Sequence, residues 1–442
     1  MTRVGISGRL RLAMLRDRLE ESLFLYPALI MSGGIVLAVV ATVVDDALGH
    51  GTRVPLTLTM SSNAATWLLA TVAGAMITTV GVVFSLTVVS LQLASDQFSP
   101  RVMRSFIRDR PSQRVIGLLV ATFFYCVLVL PNVSGEPTDP APQVSLTVAV
   151  ILTLITVAGI IVHLDHLAHG LQVGNVARGI AREGEAVASA LDDVPAGMRQ
   201  VDPRYFRDIP AEAVLIDAPS SGWISQVDLT RVFAVVPPGT VVRMETRVGA
   251  YIHSGEPLFT VWPEPDHRSR RRLAAAIEVS EIRTMLQDVD FAIRQLVDIG
   301  LRALSPAVND PTTAVEVILR LGSLMRTVLT TSLAPPALQD DADWVLVQPW
   351  NLSHEEYVAH AFDQLRQMCL DQTEVAAALL RVLRMLGTHV REEGNPDLEP
   401  VLHRQMQLLF DGLERQPDLH PEDLRRLRAL TSGDTDPADH SR

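Results

Sequence analysis

Five residues of one short stretch could together hold a small ligand: Arg302, Asn309, Asp310, Thr312 and Thr313, around the text ALSPAVNDPTTA (303–314). Asn309, Asp310 and the two threonine hydroxyls, gathered at a helix N-terminus close to Arg302, would present a polar pocket to a ligand or a neighbouring subunit. The same residues can also serve the chain alone. Asp310 precedes Pro311, whose missing N–H suits the first helical position, so Asp310 reads as an N-cap accepting from Thr312 or Thr313. Pro306 then stops the helix before it. Under the capping reading Asn309 is the one polar residue without a task. Under the other, the five form a ligand pocket or a subunit contact.

A second constellation lies in an apolar run. Thr71, Gly74, Thr78, Gly81, Ser85 and Gln92 recur at spacings of three, four and seven, which places them on one helix edge opposite Val72, Val80, Val83, Phe84 and Leu91. Small residues let membrane helices approach, so the edge reads as a packing seam. It also reads as a wetted pore seam in an oligomer.

His163 and His166 share a helix face and could bind a divalent ion. His169, however, turns about 120° away from His163, and no carboxylate completes the set on that face. Interfacial anchoring or a proton-sensitive contact is the better expectation. HEEYVAH (354–360) falls short of a zinc-protease motif because its second histidine arrives two residues late. Asp290, Arg294, Asp298 and Arg302 alternate in sign at i, i+4, the pattern of a solvated or subunit-facing helix surface. Two cysteines, Cys126 and Cys369, cannot build a disulfide framework or a cysteine metal site. All 38 basic residues are arginine, which excludes a Walker A lysine, a Schiff base and a biotinyl or lipoyl attachment. No metal and no cofactor is expected.

The elements that carry these residues follow from composition. With 48% hydrophobic residues and a mean hydropathy of +0.23, the 442-residue chain is too apolar for an ordinary soluble enzyme. Four runs, 26–44, 64–93, 115–130 and 144–162, approach or exceed the roughly 20 apolar residues that cross a bilayer core. Arg3, Arg9, Arg11, Arg16 and Arg18 precede the first run, and Arg101, Arg104, Arg108, Arg110 and Arg114 separate the second from the third. The other two loops hold only Arg53. The positive-inside rule therefore puts both termini, and everything after the fourth span, in the cytoplasm of a bacterial inner-membrane protein. Leu10–Phe24 alternates Arg with Leu and Met as an amphipathic helix on the inner leaflet would. Residues 1–130 carry +4 and the remainder −16, so nucleic acid is not an expected partner.

The expected fold is an α-helical integral membrane protein with a cytosolic α+β region. An amphipathic segment (1–25) precedes four transmembrane helices (26–170), the last of which runs on as a helix through residue 191. A connecting helix and linker (171–210) lead to a small β module (211–265), whose VGAYIHSGEPLFTV text (248–261) resembles a biotinyl/lipoyl-type hairpin without the carrier lysine. A charged linker (263–272) follows. Next come a helical pair (273–335) with helices near 275–304 and 312–332, a helical domain (350–431) opening on a Ser353/Glu356 capping box, and a disordered tail (432–442).

Three long stretches carry a family likeness: SLTVVSLQLASDQFSPRVMRSFIRDR (85–110), HLDHLAHGLQVGN (163–175) and GLRALSPAVNDPTTA (300–314). Together they closely resemble the bacterial predicted membrane proteins catalogued as domain of unknown function 2254, over most of the chain. The resemblance implies a membrane location and brings no established activity or catalytic residue. It also implies paired histidines where this chain has Leu164 and Asp165, which weakens a metal site at His163 and His166. The leading expectation is an oligomeric channel-like or transport-related assembly with a cytosolic regulatory domain. The rival is a membrane-anchored scaffold or sensor that binds a small ligand or protein through that domain. An enzyme ranks third, for want of a nucleophile elbow or a complete metal set.

The arginine asymmetry makes a direct prediction. A reporter active only outside the cytoplasm should work when fused after Asn132 and fail when fused at Arg442, and the reverse pattern would overturn the expected topology.

Overall fold

The computed structural model describes residues 25–48, 55, 57–97, 110–133, 140–170, 172–191, 197–206, 208–333, 335–340 and 343–432. The amphipathic segment 1–24, the arginines of 101–109 and the tail 433–442 lie outside the described residues. Contacts divide the chain into two units, Met1–Gln172 and Val173–Arg442.

The first unit is helical: α1 (Leu25–Leu48), α2 (Ser62–Gln97), α3 (Arg110–Val129) and α4 (Gln143–Gly170). All four contain stretches long and apolar enough to cross a membrane. The third is the hub. Of its candidate span 44% is buried, against 17–22% for the others, because it packs against α1, α2 and α4 at once. Glycine permits the closest approach. A Cβ on Gly34 would stand 2.8 Å from the Ala121 Cβ, and one on Gly117 2.9 Å from the Pro27 Cα. Several polar groups pair within the unit, as a bilayer favours. Asp45 accepts from the backbone N–H groups of Val144 (2.9 Å) and Ser145 (2.8 Å) at the start of α4, Tyr125 donates to the Ser145 carbonyl at 2.9 Å, and the Thr122 and Thr156 hydroxyls meet at 2.8 Å.

The second unit opens with α5 (Val173–Leu191). The chain then builds β1 (Met198–Gln200), β2 (Val214–Asp217), β3 (Gly222–Val227), α6 (Leu229–Val235), β4 (Val241–Met244), β5 (Tyr251–Ile252), β6 (Pro257–Trp262), α7 (His267–Ala274) and β7 (Ile277–Ser280). Helices α8 (Val289–Ala303) and α9 (Pro311–Thr330) follow, then β8 (Ala337–Asp340) and β9 (Val345–Val347). The last four helices are α10 (His354–Met368), α11 (Thr373–Glu392), α12 (Glu399–Leu413) and α13 (Pro421–Ser432). Six strands form one sheet in the order β1-β8-β9-β4-β6-β2, antiparallel except for the parallel β4/β9 pair. A second, antiparallel sheet has the order β5-β3-β7. Leu258, Phe259, Val242, Met244 and Ile224 fill the core between these strands.

Several expected boundaries change. Residues 163–191 are not one helix: α4 ends at Gly170 and α5 starts at Val173, at the division between the units. The β module is not confined to 211–265, since β1, β7, β8 and β9 close its sheets from outside that range. Its 248–261 text is not a hairpin either: β5 pairs with β3 while β6 pairs with β2 and β4, so the two flanks of the turn enter different sheets. The charged linker 263–272 forms α7, capped by Asp266, and a helix from 275 gives way to β7, because Ile277 and Val279 are the partners β3 needs. The C-terminal helices agree with expectation, and the Ser353/Glu356 capping box forms in both directions.

Enlarging either glycine at the α1/α3 contact should cost about 1–3 kcal/mol through overpacking. Gly34→Leu and Gly117→Leu should therefore lower the thermal stability of the full chain, whereas Gly74→Leu, with nothing within 4 Å of its Cβ position, should leave it unchanged.

Candidate functional site

A buried charged cluster organises the second unit. Asp288 accepts the Phe291 N–H as the N-cap of α8, and Arg283 grips the same carboxylate at 2.6 and 3.1 Å. Arg283 also reaches Asp290 at 2.8 Å, and its guanidinium lies 5.4 Å from the Trp223 ring centroid and 5.3 Å from that of Phe291. The other Asp290 oxygen meets His360 Nδ1 of α10 at 2.6 Å and Arg294 at 3.7 Å. Both aspartates are nearly sealed, at 4% and 2% exposure, which is tolerable only because each is paired. Gly249 completes the fit: its φ is +79°, and a Cβ there would sit 2.3 Å from an Asp288 oxygen.

Environment separates the two carboxylates. Burial pushes Asp288 above the usual carboxylate range, and the bonds from Arg283 only partly oppose it. Burial also acts on Asp290, but there the bonds from Arg283 and the interaction with His360 outweigh it and hold the group below its ordinary value. Burial, with both aspartates nearby, raises the Tyr357 phenol well above its ordinary value.

Beside this cluster lies a cavity of about 260 Å³. Its walls are mostly apolar, with Leu191, Val227, Met244, Val248, Val289, Val328 and Leu338 among them, and its polar lining includes Arg247, Gln287, Asp288, Gln348, Asn351 and Tyr357. Gln287 is fixed by accepting the Val227 N–H at 3.0 Å. An outer cleft of about 570 Å³ is lined by Glu245, Arg247, Tyr251, Glu256, Trp350, Glu356 and His360. Arg247 and Leu352 line both spaces. An apolar cavity with a few convergent polar groups is the usual form of a small-molecule site.

The residues singled out from sequence lie elsewhere. In the 302–313 loop Asp310 is the N-cap of α9, accepting the Thr313 N–H at 3.0 Å and its hydroxyl at 2.6 Å. Asn309 is not idle. It takes a left-handed φ of +47°, and its side chain accepts from Gln372 at 3.3 Å. Thr312 is exposed, and neither cavity described above is lined by Arg302, Asn309, Asp310, Thr312 or Thr313. Thr71, Gly74, Thr78, Gly81, Ser85 and Gln92 are all exposed, along with Trp67 on the same edge, while Ala65, Leu69, Ala73, Met76 and Val83 pack inward. Phe84, expected on the opposite face, is 60% exposed. The edge is thus no packing seam within the chain. His163 is buried and His166 exposed, and no metal-binding group of three or more ligands occurs among the described residues. Asp290 corrects the ladder reading, since it faces the buried cluster and not solvent. Arg247, Arg283 and Tyr357 escaped sequence reasoning. Asp288 carried one legible signal, an aspartate just ahead of an apolar-periodic run.

Comparison with known proteins finds a family model described as predicted membrane protein, domain of unknown function 2254, matching residues 20–385. An uncharacterized protein of Mycobacterium tuberculosis strain CDC 1551 is 30% identical over 420 residues, covering 90% of this chain and 78% of the relative. Uncharacterized proteins of Mycobacterium bovis and Mycobacterium tuberculosis strain H37Rv align equally well, each 30% identical over 419 residues. No solved structure matches.

The cluster predicts a pH-dependent stability. Asp290→Asn leaves Arg283 and His360 short of a buried counter-charge and should cost about 3–5 kcal/mol at neutral pH. Because the Asp290 pKa is depressed in the fold, its contribution is present above the ordinary aspartate range and is lost as the pH falls through and below it. Unfolding followed against pH should therefore show variant and wild type converging in acid, and a constant gap would contradict this assignment.

Proposed function

The chain belongs to the family of predicted membrane proteins described as domain of unknown function 2254, and from that premise we propose that it is a membrane-anchored sensor whose C-terminal α+β unit binds a small ligand. The observation that carries this reading is the 260 Å³ cavity, set directly against the Arg283 cluster. Asp288 belongs to both, and Tyr357 joins the cavity to the helix that carries His360. A ligand there would contact groups fixed to α8 and α10 and would be felt by both helices. The arginine asymmetry supports a bacterial inner-membrane location with this unit and both termini in the cytoplasm.

A second reading, a homo-oligomeric channel-like or transport-related assembly, is favoured by the exposed Thr71 to Gln92 edge of α2. Further copies of the chain could set that edge around an axis.

A photoreactive probe tests the sensor reading. Octanol bearing a diazirine, applied to the full chain in lipid nanodiscs, should label peptides containing Met244, Val248 or Val328, and Leu333→Trp, which fills the cavity, should remove that labelling. Labelling confined to the four spans in both proteins would defeat the reading.

For the second reading, Ser85→Asp in reconstituted membranes should assemble and alter ion flux if the edge faces water. If it faces protein or lipid, the carboxylate should cost about 2–4 kcal/mol or more and block assembly, with Ser85→Ala unaffected.

A further inference from the structure

Resting on the reading of the inner cavity as a ligand site, we infer that the ligand is a small amphiphilic monoanion, its carboxylate held by Arg247 and its apolar tail enclosed by the cavity. Arg247 is half-buried and lines both the cavity and the outer cleft. Among the described residues its guanidinium makes one hydrogen bond, from Nη1 to the carbonyl of its own neighbour Val248 at 3.1 Å, which leaves four of the five guanidinium N–H groups for other partners. Among the described residues no carboxylate forms an ion pair with it, whereas Arg283 and Arg294 both pair with the cluster aspartates. Arg247 thus stands within electrostatic reach of Asp288 and Glu356 without an ion-pair contact to either, and it is the guanidinium that meets the cavity.

The cleft carboxylates are engaged elsewhere. Glu245 accepts from Thr260 at 2.6 Å and pairs with Arg243 at 3.1 Å, and Glu256 accepts the His253 N–H at 2.8 Å. Glu356 lies close enough to interact with Arg247 through space, yet its carboxylate closes the capping box on the Ser353 N–H, at 2.8 Å. A carboxylate arriving at Arg247 would gain a charge-assisted, bidentate contact in a partly desolvated place, where such bonds are strongest. Asn351, Gln348 and Tyr357 line the same cavity and offer further polar contacts.

Cavity size limits the tail. An apolar cavity of about 150 Å³ accepts benzene, so 260 Å³ suits a tail of about eight carbon atoms better than a full membrane-lipid chain. The ligand is therefore a free medium-chain acid and not a bilayer acyl chain.

Competition against the diazirine-octanol label, on the full chain in nanodiscs, distinguishes the outcomes. Octanoate should protect the cavity peptides at concentrations about tenfold lower than octyltrimethylammonium does, an advantage supplied by the guanidinium. Arg247→Gln should weaken protection by octanoate about tenfold while leaving octanol unchanged, and Arg247→Lys should restore part of the difference. Hexadecanoate should protect less well than octanoate. Equal protection by anion and cation, no effect of Arg247→Gln, or stronger protection by hexadecanoate would each overturn the inference while the cavity reading stands. Absence of any cavity labelling would remove the cavity reading and this inference together.

Discussion

Arg283 is the side chain on which the second unit depends. It leaves water to lie between two aromatic rings and two nearly sealed aspartates, and burial alone would lower its pKa, yet the bonds to Asp288 and Asp290 raise it. Remove Arg283 and two nearly sealed carboxylates lose the charge that holds them both. The network therefore sets other positions by exclusion. Residue 249 must be glycine because the Asp288 carboxylate occupies the space of a side chain. Trp223 of β3 is pinned beneath the guanidinium and against Tyr251 at 5.4 Å, which ties the smaller sheet to α8. Through Asp290 and His360 the same charge system reaches α10. A cavity bordered by Asp288 inherits a rigid wall from this arrangement.

The membrane unit solves the opposite problem, having no water to supply hydrogen bonds and little hydrophobic drive between helices. Its contacts come from shape. Gly34 and Gly117 let α1 and α3 touch, and Asp45 closes the N-terminus of α4. The polar edge of α2 needs none of this. Thr78 donates to the Gly74 carbonyl at 2.8 Å and Ser85 to the Gly81 carbonyl at 2.9 Å, so each hydroxyl is satisfied by its own helix. Exposed hydroxyls of this kind are compatible with lipid, with another copy or with water, and their polarity alone does not demand a pore.

Local signals were legible in the sequence, and distant partnerships were not. Four apolar runs, the Asp310–Pro311 start of α9, the Ser353/Glu356 box and the periodic C-terminal helices are each encoded within a few residues. Val345–Val347 is a three-residue strand whose meaning lies in Val241–Arg243, about a hundred positions earlier, and no periodicity announces such a pairing. Ile277–Ser280 was hidden by an apolar pattern that suits helix and buried strand alike. Asp290 looked like one rung of a surface ladder because helical spacing cannot tell which face meets Arg283 and His360. Small residues are ambiguous in the same way. The spacing of Thr71, Gly74 and Thr78 suggested close packing, but only position in the bundle shows that Gly34 and Gly117 perform it.

The 302–313 loop shows how a polar cluster can be absorbed by backbone geometry. Its turn is closed by Asn309 N–H to the Ser305 carbonyl at 2.8 Å and Asp310 N–H to the Ala303 carbonyl at 2.8 Å, which bends the chain back onto the end of α8. That bend requires a left-handed residue at 309, and asparagine tolerates the conformation better than most side chains. Its amide then reaches Gln372 at the start of α11, so Asn309 joins two helix termini besides turning the chain. Loss of Asn309 would thus disturb the backbone whether or not anything binds there, and its substitution by alanine cannot separate a ligand role from a structural one. Arg247 is the more informative position. Its backbone closes no helix and its guanidinium carries no ion pair among the described residues, so a change of charge there is felt first in the space it lines.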